Sequence, residues 1–253
     1  MRLTLVGTAD AFNAAGRGHS CTWVDELAEA PVMVDFGPTA LMGLNRCGLD
    51  PRELAGIALT HLHGDHFGGL PLLWIDALYA RPRTAPLSIL GPPGTREAVL
   101  GIVRAFYGDV VDRELPFTVE WTEIHPGQAV SWLGLEVRAW HAPHLEPPAL
   151  SLGLRLARPG GPGVAFTGDT QLTAGVLAGL RGADIAVVEC SALEPPAGKH
   201  VTWLEWRDAL AGLGVPRVVL THLGADVRAA ADRIRREAPD GVEVIVGEDG
   251  IRI

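Results

Sequence analysis

The feature that most limits how this chain can fold is its punctuation: short β-type runs recur from one end to the other, each closed by turn residues. They read RLTLVG, PVMVDF, GIALT, PLSIL, PFTVEW, LEVRAW, LSLGLRL, VAFTG, DIAVVE, RVVLTH and VEVIVG. Helical patterns lie between several of them, in FGGLPLLWIDALYA, TREAVLGIVRAFYG, TWLEWRDALAGLG and ADVRAAADRIRREA, where apolar residues recur at three and four spacing. Consecutive strands early and strand–helix alternation later favour an α/β fold of layered sheets flanked by helices over a parallel barrel. With 253 residues, 47% of them hydrophobic, the chain can bury a large core. RPGGPG at 158 to 163 reads as a hairpin turn between two strands, so 1–253 is expected to form a single domain.

The totals exclude several classes. A formal charge of −9 gives no general attraction to nucleic-acid phosphates. Three scattered cysteines, Cys21, Cys47 and Cys190, suggest neither a disulfide framework nor a thiolate metal site, which fits a reducing cytoplasm. The start MRLTLVGTADAF lacks the pattern of a signal peptide, and no apolar run is long enough to cross a membrane.

Against that background the stretch THLHGDHFGGL stands out. Extended backbone after GIALT would point His61 and His63 the same way, and Gly64 then lets Asp65 and His66 turn in ahead of a helix. Imidazole and carboxylate donors without thiolates suit Zn²⁺, Mn²⁺ or Fe²⁺. Three distant segments repeat the placement of a polar residue directly after a buried strand: His144 after LEVRAWHAP, Asp169 at the end of VAFTGD and His222 at the end of RVVLTH. A strand-terminal Asp also serves as a helix cap, and His141 competes with His144 for the same place.

These residues, HLHGDH at 61 to 66, His144, TGDT at 167 to 170 and THL at 221 to 223, occur in an order that resembles the metallo-β-lactamase superfamily. LVGTADAF with GRGHS, VDFGP at 34 to 38 and a late KHVT resemble its ribonuclease Z-like branch. The resemblance implies a four-layer αββα sandwich with two divalent ions, zinc before manganese or iron. His61, His63 and His144 would hold one ion and Asp65, His66 and His222 the other, with Asp169 bridging them. It further implies that water between the ions becomes the attacking hydroxide, with Asp65 part of the catalytic centre. Asp35 would support a ligand through a hydrogen bond, although DFGPTA also reads as a helix start.

A leaving group needs a proton, and His200 is the candidate donor, oriented by Glu189 as the resemblance implies. Thr202-x-x-Glu205 has the form of a capping box, placing His200 in the loop that enters a helix. Arg17 and Lys199 are candidates for binding substrate oxygens. Trp203 and Trp206, three apart, suit the packed face of a helix better than base stacking.

Ribonuclease Z enzymes carry a long tRNA-gripping arm after the strand matching SLGLRL, whereas here ARPGGPG leads straight to VAFTGD. The expected reaction is therefore hydrolysis of a small or cyclic phosphodiester, as in the armless relatives of phosphonate metabolism. The expected partner is a small ester rather than a nucleic acid or a membrane, and a homodimer is compatible with the sequence. The alternatives are tRNA 3′ processing and hydrolysis of a lactone, thioester or β-lactam. A non-enzymatic metal-binding module is the weakest reading, since every expected ligand position is filled.

Overall fold

The computed structural model describes Met1–Ile253. Strands β1 (Arg2–Gly7), β2 (Cys21–Asp25), β3 (Val32–Val34), β4 (Gly56–Ala58), β5 (Leu87–Gly91) and β6 (Val119–Glu123) form one sheet in chain order. The second sheet runs, also in unbroken order, from β7 (Ala129–Trp132) through β8 (Leu135–His141), β9 (Leu152–Ala157), β10 (Gly163–Phe166), β11 (Ile185–Glu189) and β12 (Arg217–Thr221) to β13 (Glu243–Val246). Each half of the chain therefore makes its own sheet, save that the last residues, 251–253, return to pair with β1.

Strand alternation distributes the core into three layers. Val32, Val34 and Ala58 of the first sheet meet Val164, Phe166, Ile185 and Val187 of the second in the central layer. Their neighbours Met33 and Ile57 face outward instead, toward α1 (Ala40–Cys47), α3 (Leu70–Ile75) and α4 (Thr95–Tyr107); the short α2 (Gly64–Phe67) precedes α3. Ala165, Ala186 and Val188 face α5 (Ala174–Leu180), α6 (Trp203–Leu210), α7 (Ala225–Ala229) and α8 (Ala231–Glu237). Both faces of the central strands are thus buried, which is why their sequences read as continuous apolar runs. The result is the expected αββα sandwich. No helix is long and apolar enough to cross a membrane.

Several local expectations need correction. Strands β2 and β7 are not legible in the sequence: β7 is a four-residue, partly exposed edge too short to show a period, and CTWVD has no clear period. The stretch FGGLPLLWIDALYA does not form one helix. Helix α2 begins earlier, so Asp65 and His66 lie within its turn rather than ahead of it, and it stops at Gly68–Gly69 before α3. A Cβ at Gly69 would collide with the Gly37 carbonyl, and one at Gly37 with that of Asp65. Two hydrogen bonds, Phe36 N to His66 O at 2.6 Å and Gly69 N to Phe36 O at 2.9 Å, lock these backbones together. ADVRAAADRIRREA likewise divides into α7 and α8 at Ala230. RPGGPG does make a hairpin, with Gly163 paired to Ala157 in antiparallel register.

Candidate metal centre

The polar residues collect at the edge where the two sheets meet. Beyond β4 the chain stays extended, and His61 and His63 project together with ring centroids 4.8 Å apart. From the second sheet come His144 after β8, Asp169 after β10 and His222 after β12. His144 Nε2 stands 3.1 Å from His63 Nδ1. His141 is instead an exposed strand residue paired with Leu152. Two adjoining donor groups result: His61, His63 and His144, and Asp65, His66, Asp169 and His222, each with its ligand atoms within 4.8 Å of one another.

Each of four rings has its Nδ1 tied down. Thr60 Oγ1 lies 3.1 Å from that of His61, Asp35 Oδ2 accepts from that of His66 at 2.8 Å, and the Lys199 carbonyl accepts from that of His144 at 3.2 Å. Ser191 Oγ lies 3.0 Å from that of His222. This fixes ring orientation and leaves Nε2 facing the centre. Asp35 caps no helix; it also accepts from Thr60 N at 2.8 Å. Asp35 and His222 both hold positive φ, 61° and 53°, a backbone cost of the kind that accumulates at functional sites.

The donor set fits divalent cations on its own geometry. His61 Nε2 and His66 Nε2 are buried without a hydrogen-bond partner, 3.9 Å and 3.4 Å from Asp169 Oδ2. Such orphaned groups cost about 1–3 kcal/mol each unless something meets them. Asp65 and Asp169 have only histidines as ion-pair partners. Burial pulls His61 well below its ordinary pKa, keeping its lone pair free. Burial also opposes charge on His222, yet the Asp169 carboxylate prevails and raises it to about 9. His66 is raised likewise, so the acids gather protons onto imidazoles where a metal cation would otherwise balance them.

His200 stands beside these groups, its ring 4.9 Å from His144 and stacked on His222 at 5.4 Å. Burial would lower its pKa, but the hydrogen bond from Nδ1 to Glu189 Oε1 at 3.0 Å raises it overall. Glu189 is buried and braced by Thr170 N at 2.7 Å and Ser191 Oγ at 2.8 Å. The capping box of Thr202 and Glu205 is present, and Trp203 and Trp206 are fully buried in the core beneath it. Trp206 Nε1 donates to the Glu189 carbonyl at 2.6 Å, so the helix also anchors the strand end that holds the acid.

Two predicted residues are turned elsewhere. The Lys199 ammonium pairs with exposed Glu146, and only its carbonyl reaches the site; Arg17 pairs with Glu248 at the surface. Sequence reasoning missed Thr60 and Ser191, whose hydroxyls meet the His61 and His222 rings. The recurrence of LTH at 59 to 61 and 220 to 222 marks the two strand ends, but nothing in it reveals a partner hydroxyl.

An αββα sandwich with such a donor cluster on its sheet edge is the arrangement of the metallo-beta-lactamase fold. A family profile described as the beta-lactamase superfamily domain matches residues 32–223. Ribonuclease Z of Mycobacterium bovis (strain BCG / Pasteur 1173P2) is 32% identical over 181 residues, covering 67% of this chain and 63% of that protein, so the match spans less than two thirds of the relative. The metallo-beta-lactamase fold protein YhfI from Bacillus subtilis superimposes with a TM-score of 0.77 at 20% identity, covering 100% of this chain and 98% of that one. A diphosphatase from the PhnP family gives 0.76 at 17%, covering 100% and 96%. The chain belongs to the beta-lactamase superfamily.

Proposed function

We propose that the protein is a dinuclear-metal phosphodiesterase acting on a small or cyclic phosphodiester. The observation that carries this reading is the position of His200, held by a buried acid immediately beside two adjoining donor groups. His61, His63 and His144 would hold one ion, Asp65, His66 and His222 the second, with Asp169 shared. Divalent ions there, zinc by preference and manganese or iron as alternatives, supply Lewis acidity that makes water a nucleophile and draws charge from a phosphoryl group.

The chain's own residues do the rest. Asp35, Ser191, Thr60 and the Lys199 carbonyl hold ligand rings in place. Glu189 accepts from His200 Nδ1 and raises the ring's pKa, favouring the imidazolium, whose remaining Nε2 proton can pass to a leaving alkoxide oxygen and leave a neutral ring. The tight turn between β9 and β10 leaves no arm for gripping a large RNA, which supports a small substrate.

Processing of tRNA 3′ ends is the second reading, favoured by the mycobacterial relative's name. Metal analysis followed by a parallel screen tests both. We expect about two metal equivalents per chain and turnover of bis(p-nitrophenyl) phosphate or cyclic nucleotides above that of precursor tRNA. Activity confined to lactones or a chromogenic β-lactam would overturn the phosphodiester reading.

A further inference from the structure

A second cavity, of about 370 Å³, opens between β1, α1 and the segment after β13, and its lining includes Arg17, Arg46 and Arg252. Three guanidiniums in one recess are conspicuous in a chain with a net charge of −9. Two acids stand nearby, and Asp249 itself lines the recess. Glu248 pairs with Arg17, while Asp249 accepts from Thr8 Oγ1 at 2.6 Å and Gly18 N at 2.8 Å. Arg46 makes no ion pair or side-chain hydrogen bond, and Arg252 donates only to the Cys47 carbonyl, at 3.4 Å. Two exposed, permanently charged forks therefore line a polar recess with no acid of the protein paired to either.

One end of the recess is closed by Gly18 and Thr39. Thr39 Oγ1 accepts from His19 N at 2.7 Å and meets His19 Nδ1 at 3.2 Å. His19 is buried behind that wall. The recess shares no lining residue with the donor groups of the metal centre. We propose that this recess is an anion-binding site for a free phosphate-bearing small molecule, distinct from the substrate and held by Arg46 and Arg252. Guanidinium forks suit tetrahedral oxyanions, and the volume lies within the range of small-ligand sites. The inference stands on the recess alone and does not depend on which ester the metal centre cleaves.

Cys47 supplies a local reporter. It lines the recess and is partly exposed, whereas Cys21 and Cys190 are buried. The rate of Cys47 alkylation by iodoacetamide would be followed by peptide mass spectrometry on the metal-loaded protein. Inorganic phosphate is the probe, with chloride at matched ionic strength as control. We expect phosphate to slow alkylation of wild type at least about fivefold, saturably, since an occupant excludes the reagent. Arg46→Ala should abolish most of that protection, and Arg46→Lys should retain part of it because the charge survives. Both variants should keep wild-type metal content and turnover of bis(p-nitrophenyl) phosphate. A Cys47 rate indifferent to phosphate in wild type would overturn the proposal. So would equal protection in Arg46→Ala, which would place the effect at the metal centre.

Discussion

At the scale of single residues, His200 and the histidines of the donor groups differ in what holds them. Four donor-group rings are tied at Nδ1 to a hydroxyl, a carbonyl or Asp35, while His200 is tied to the buried carboxylate of Glu189. His200→Ala should therefore lower kcat by about 10²–10⁴-fold, the usual worth of a positioned proton donor, while metal content measured by mass spectrometry stays unchanged. Equal loss of metal would make it a ligand instead. His63→Ala and Asp169→Ala should do the opposite and deplete metal, and retention of full metal in either would contradict the ligand assignment. Ser191→Ala should weaken metal retention about tenfold or more in a chelator competition, since it frees the His222 ring. The donor residues could be read from sequence because they fall within a few residues after the strands that end at this edge, with Asp65 and His66 in the helical turn that follows β4. Thr60 and Ser191 could not, because one hydroxyl beside a ligand leaves no pattern. That Arg17 and Lys199 pair with Glu248 and Glu146 is illegible in sequence for a related reason: a cation near a motif says nothing about where a long, flexible side chain points.

At the scale of elements, the loop bearing Asp35 and the turn bearing His66 are interlocked backbone to backbone, with glycines at each crossing. Gly69→Ala would push the Gly37 carbonyl away and should cost about 1–3 kcal/mol, read as a lowered Tm together with weaker metal retention. The same pair of glycines explains why FGGLPLLWIDALYA looked like one helix. Its apolar spacing is genuine from Leu70 onward, but periodicity carries no record of another loop needing the space at Gly68–Gly69. The capping box gives a separate test. Thr202→Ala should cost about 1 kcal/mol and reduce kcat without loss of metal, because the cap fixes the loop that carries His200. Strands were legible where both faces are buried. The edge strand β7, partly exposed, was lost among turn residues.

For the molecule as a whole, the two sheets pack through a central apolar layer, while at their common edge the contacts are acids and imidazoles with unmet bonding capacity. Bound ions would thus add stability across the seam. Removing them with a chelator should lower Tm, by an amount that grows with the affinity, about 4 kcal/mol for metal at a thousand times its dissociation constant. Far-UV circular dichroism should change little, because the apolar layers do not depend on metal. An unchanged Tm after verified metal loss would argue that the edge holds no ion tightly. The unbroken strand order within each sheet has a consequence in time. His61, His63, Asp65 and His66 emerge with the first half of the chain, but His144, Asp169 and His222 come only with the second, the last of them after β12. During synthesis the nascent protein can therefore offer a passing ion only a loose grip, and a firm hold must wait until the later half has been made and folded against the earlier one.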